Sequence, residues 1–109
     1  MPGTVRILRH SVAGPYVKAG TPARRVARLR SQWQSYFPNA LLVAQVAEDR
    51  GLTADAEAIR AAVATYSTAR HQYVPGWTDP SEHDHVHAAW VALIWRVRQV
   101  CAVLLGVSA

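Results

Sequence analysis

The sequence predicts an all-α fold: a small helical bundle of about four helices behind an extended basic N-terminal arm. Three observations predict it. Apolar residues recur at helical steps of three and four through most of the chain after residue 20. Helix-start chemistry precedes these stretches at Thr21-Pro22, at Thr53 and at Asp79-Pro80-Ser81-Glu82. Helix-breaking residues separate them at Pro38, at Gly51 and across Val74-Pro75-Gly76-Trp77-Thr78. With 109 residues and no repeat, linker or low-complexity run, the chain is expected to form one domain, residues 1–109.

Residues 1–20 make the arm, punctuated by Gly3, Gly14, Pro15 and Gly20. Thr4–His10 has the composition of a short strand but no partner strand elsewhere. The first helix starts at Thr21-Pro22. Val26, Leu29, Trp33, Tyr36 and Phe37 are expected inward, and Arg24, Arg28, Ser31 and Ser35 outward. Asn39–Arg50 is a short second helix rich in Leu and Val, with Gly51 placed to end it. Thr53 is expected to cap the third helix, whose inward residues are Ile59, Ala62, Val63, Tyr66 and Tyr73. Asp79 is expected to cap the last and longest helix.

That last helix is unusual. Trp90, Leu93, Ile94 and Val97 stand among its inward residues, yet Val91, Ala92, Trp95, Ala102 and Val103 make the opposite face apolar too. A membrane span is the rival account. Arg96, Arg98 and Gln99 lie at the centre of the stretch, where charge is most costly in lipid. The runs Ala88–Trp95 and Val100–Val107 are each too short to span alone. The expectation is a helix buried in a bundle or at an interface between subunits.

Charge is divided unevenly. Residues 1–47 hold Arg6, Arg9, Lys18, Arg24, Arg25, Arg28 and Arg30 with no acid, while residues 48–109 hold five arginines and seven acids. The first part is therefore +7 and the remainder −2, matching the net +5. Such asymmetry suggests a polyanion or an anionic surface as partner, and an Arg-rich, acid-free N-terminus also fits an organellar transit peptide. Arg24 and Arg25 also sit in a helix first turn, where the dipole disfavours cations. A local rule broken without visible gain often marks function. Arginine suits phosphate because its planar fork donates two parallel hydrogen bonds. The candidate nucleic-acid-binding residues are Arg6, Arg9, Lys18, Arg24, Arg25 and Arg28, with a solvated helix face as the plain alternative.

Other constellations point less far. Asp79, His83 and His87 share a helix side, but no glutamate stands between the histidines as in a zinc H-E-x-x-H helix. No metal and no cofactor are expected. Trp33, Tyr36 and Phe37 suit a core better than base stacking. Arg30 and Arg70 fall in apolar seams and are expected to snorkel to the surface, or else to face another subunit, where arginine is enriched. Cys101, the single cysteine, lies on a buried stripe and is a poor nucleophile. No phosphate-cradling or nucleophile-elbow motif occurs, so no enzymatic activity is expected.

In size, helix content and charge the chain resembles the small helical subunit of class 1 CRISPR effector complexes. The stretches behind this are the basic segment Arg24–Arg30 and the helical run Asn39–Ala109. The resemblance implies a non-catalytic subunit of a ribonucleoprotein; a cytoplasmic site is the default expectation for a chain whose single cysteine allows no internal disulfide. Such a subunit contacts the backbone of RNA or single-stranded DNA without reading sequence, beside other protein subunits and copies of itself. That group has no diagnostic motif, so no residue role is carried over. The alternatives are a structural or connector protein of a virion, and a basic helical protein that binds a membrane surface. The absence of an apolar leader at the N-terminus fits the cytoplasmic expectation.

Overall fold

The structure, a computed structural model, describes residues 12–17, 20–35, 37–73 and 81–108. Its helices are α1 (Pro22–Ser35), α2 (Ala40–Asp49), α3 (Thr53–Gln72) and α4 (Ser81–Leu105). Residues 12 and 13 are also helical, and no strand occurs among the described residues. The all-α expectation holds, as do the breaks at Pro38 and Gly51 and the place of the longest helix, the 25-residue α4. Thr4–His10 and the turn at Val74–Thr78 lie outside the described residues.

The caps follow local chemistry, with one correction. Thr21 Oγ1 accepts from the Arg24 N–H at 3.3 Å at the start of α1. Asn39 Oδ1 accepts from the Leu41 and Leu42 N–H groups at 3.0 and 3.1 Å, satisfying two orphan donors of α2. Thr53 is not the cap of α3: that position belongs to Leu52, which offers no side-chain hydrogen bond. The preceding turn dictates this. Gly51, at φ +80°, donates to Glu48 O at 2.9 Å, and Leu52 N–H donates to Ala47 O at 2.8 Å. This crossed pair closes α2 and leaves one residue before α3. The same arrangement at Gly106 and Val107 ends α4, shorter than the apolar stretch alone suggests. Asp79, the expected cap of α4, lies outside the described residues.

The centre of the molecule is α2, not α4. Seven of its ten residues are buried: Ala40, Leu42, Val43, Ala44, Gln45, Val46 and Ala47. Its small and branched side chains admit close neighbours on several sides, and it packs against α1, α3 and α4. From α3 come Ala56, Ile59, Val63 and Tyr66, and from α4 Leu93, Val97, Cys101 and Leu104. Leu93 and Val97 are fully buried as expected, whereas Trp90 and Ile94 are only half-buried. The other face of α4 is exposed: Trp95 retains 64% of its surface and Val103 72%. A helix apolar on most sides here covers the core with one side only.

Hydrogen bonds fasten the periphery to this centre. Asn39 N–H donates to Gln32 Oε1 at 2.9 Å, and Asn39 Nδ2 donates to Gly14 O at 3.1 Å. One asparagine thus joins α1, α2 and the segment before α1. Arg50 donates to the Leu104 carbonyl, placing a cation at the negative end of α4.

Candidate nucleic-acid interface

The outer face of α1 carries the arginines that the sequence singles out. Arg24 and Arg28 are exposed and stand one helical turn apart on one side, with Ser31 and Ser35 continuing the polar face. Gly20 leaves room for Arg24, since a Cβ there would lie 2.7 Å from Arg24 Cδ. Arg28 stacks over the Tyr16 ring at 5.9 Å from its centroid. Arg6, Arg9 and Lys18 lie outside the described residues.

Arg25 departs from the expectation. Its Nε and Nη2 donate to the Asp49 carboxylate at 2.6 and 2.9 Å, and its Nη1 donates to Gly20 O at 3.1 Å. Asp49 Oδ1 also accepts from Gln45 Nε2 at 3.1 Å. The hydrogen bonds to Asp49 raise the guanidinium's proton affinity above its ordinary value, against the opposing effect of burial. Arg25 is therefore a tie between α1 and the end of α2, and its bidentate edge is already taken. Here the gain that offsets a cation in the first turn is visible. No acidic partner of Arg24 occurs among the described residues.

The first acids of the chain are each engaged by an arginine other than Arg24 and Arg28. Glu48 is engaged by both terminal nitrogens of Arg60 at 3.1–3.2 Å, and Asp49 is held by Arg25. Of the residues expected inward on α1, Leu29 is buried and Val26 and Trp33 are half-buried; the helix ends before Phe37, which is half-buried beyond it, so neither Trp33 nor Phe37 is an open stacking platform. Tyr36 lies outside the described residues.

A second basic group lies across the segment before α1. The last turn of α3 presents Arg70 and His71. Together with Ser67, Tyr66 and residues 13–15 they line a cleft of about 480 Å³. On the sequence Arg70 is an arginine in an apolar seam, expected to snorkel to the surface or to face another subunit, and it is exposed. The cleft is not legible there, because it forms only when residues 13–15 fold back on α3.

The remaining candidates are placed as follows. His83 and His87 are exposed, and the His83 ring meets Tyr73 edge-on at 5.8 Å. Among the described residues no group of three or more His, Cys, Asp or Glu converges as a metal would require. Burial pushes the Cys101 thiol up to about 12, so its thiolate is scarce at neutral pH. Comparison with protein-family models, with curated proteins and with solved structures finds no match for this chain.

Proposed function

We propose that the chain is a non-catalytic subunit of a nucleoprotein assembly, binding the backbone of RNA or single-stranded DNA through Arg24 and Arg28. The observation that carries this reading is the outer face of α1. It presents two exposed arginines one turn apart, while Glu48 and Asp49, the first acids of the chain, are occupied by other arginines. Arg6, Arg9 and Lys18, in the same acid-free part of the sequence, add to the positive field. Arg25 is left out, because Asp49 holds it. Backbone contacts of this kind recognise charge and shape and tolerate changes of base.

The test is a salt titration of the full chain against a single-stranded oligonucleotide, followed by anisotropy. Two phosphates neutralised should give a log–log slope near −1.4, from about −0.7 for each. Cations of the arm would steepen it. No binding at low salt, to either RNA or DNA, would end the proposal.

The exposed face of α4 supports the assembly half of the reading. Val91, Trp95 and Val103 lie open to solvent. The stretch His83–Leu105 is long and apolar enough to cross a membrane by length and composition. Against that use, Arg96, Arg98 and Gln99 are exposed at mid-helix, and the opposite face is buried against α2 and α3. A protein partner suits such a surface better: an exposed tryptophan among valines, with arginines beside it, has the composition of an interface centre. We expect the chain to sediment above the monomer. Trp95→Glu should weaken that association by about tenfold or more, since tryptophan dominates many interfaces. A wild-type monomer at all concentrations tested would oppose this.

A further inference from the structure

The geometry points to a phosphate-binding subsite in the cleft between residues 13–15 and the last turns of α3, with Arg70 as its principal ligand and Ser67 and His71 beside it. The inference rests on the nucleic-acid reading for the source of the phosphate, and extends the binding surface from α1 to α3.

The cleft, about 480 Å³, has room for a nucleotide unit. Among the described residues Arg70 supplies the charge of its lining, His71 stands beside it, and no acid lines it. The dipole of α3 alone accounts for basic residues in its last turn. It does not account for Tyr66. That residue is only 2% exposed and lines the cleft, and its hydroxyl has no hydrogen-bond partner among the described residues. An unpaired buried hydroxyl is costly, so proteins ordinarily satisfy one. The hydroxyl itself is enclosed, so an incoming phosphate oxygen can accept from it only where the cleft lining gives way.

Continuity with α1 supports the same source. Segment 13–16 borders the cleft through Ala13, Gly14 and Pro15, and Tyr16 lies under Arg28. Asn39 fixes the segment by donating to Gly14 O. The Tyr16 hydroxyl is likewise buried without a partner among the described residues. Arg28, the segment and Arg70 therefore follow one another across the surface. A strand following Arg24 and Arg28 meets a further cation on crossing to α3.

The experiment uses the full chain with two probes: a 5′-mononucleotide, with its nucleoside as uncharged control, and a single-stranded oligonucleotide. Calorimetry at low salt should detect the nucleotide and not the nucleoside. Arg70→Ala should weaken binding about tenfold or more, the usual result of removing a hydrogen-bonding partner from a charged group. Tyr66→Phe should weaken binding while the melting temperature holds or rises, because the variant removes an unpaired buried group. A drop in melting temperature for Tyr66→Phe would show that the hydroxyl is bonded within the protein, and would overturn the inference. So would binding of both probes that is indifferent to Arg70→Ala.

The two proposals fail separately. Strand binding that depends on Arg24 and Arg28 but not on Arg70 removes the subsite and keeps the interface. Arg70-dependent binding of the mononucleotide without strand binding keeps the subsite for a free nucleotide and removes the interface. Binding of neither probe removes both.

Discussion

Leu93→Ala should unfold roughly 10 °C or more below the wild-type chain. Leu93 is fully buried on the inner face of α4, within the cluster that includes Leu42 and Val46 of α2 and Ile59 of α3. Truncating such a leucine removes its transfer free energy and leaves a cavity, together costing about 2–5 kcal/mol. A domain of this size has only about 5–15 kcal/mol in total, so the change takes a large share. Val103→Ala on the same helix is the control, because Val103 keeps 72% of its surface. It should stay within about 0.5 kcal/mol of wild type. Thermal denaturation followed by circular dichroism reads both. Equal effects would mean that α4 does not face the core in this orientation.

Replacing Arg24 and Arg28 together with Ala should flatten the salt dependence of strand binding by about one to two units of log–log slope. A phosphate that no arginine neutralises keeps its condensed counterions, so the slope reports how many phosphates the protein engages. Both side chains are exposed, so the fold should be unaffected. Arg25→Ala supplies the contrast. It breaks the Asp49 pair and deprives Gly20 O of its side-chain donor. The expected loss there is in thermal stability, with little change in slope. An unaltered slope and affinity in the double variant would show the α1 face to be solvated surface.

The helices were legible because their signals are local. Periodicity and breakers place α1 to α4, and Asn39 and Gly51 mark the ends of α2 by their own chemistry. What failed was relational. The apolar α4 reads as central, but a helix's rank in the core depends on how many neighbours reach it. The small and aliphatic residues of α2 admit more of them. Thr53 looks like a cap until the turn at Gly51 places Leu52 there.

The interface was legible in part for the same reason. Arg24 and Arg28 face outward by helical phase alone. That Arg25 belongs to Asp49 depends on a pairing across 24 positions in sequence. The cleft at Arg70 depends on a fold-back from residues 13–15, which periodicity does not encode. Arg50, capping α4 from 54 positions away, was hidden likewise.

The attachment of α1 has a consequence for how the molecule breathes. Among the helices, α1 packs chiefly on α2, and its polar ties run through Arg25–Asp49 and Gln32–Asn39. The body of α2, α3 and α4 shares one apolar cluster, to which α1 contributes Leu29 as its only fully buried hydrophobic residue. Partial opening of the native state should therefore release α1 first, as a cooperative unit of low stability. Amide hydrogens of α1 would then exchange faster than those of α2 and α3. A strand bound across α1 and α3 would slow that exchange by drawing the equilibrium toward the closed form. The helix that carries Arg24 and Arg28 is thus the one whose order a bound strand can most readily change.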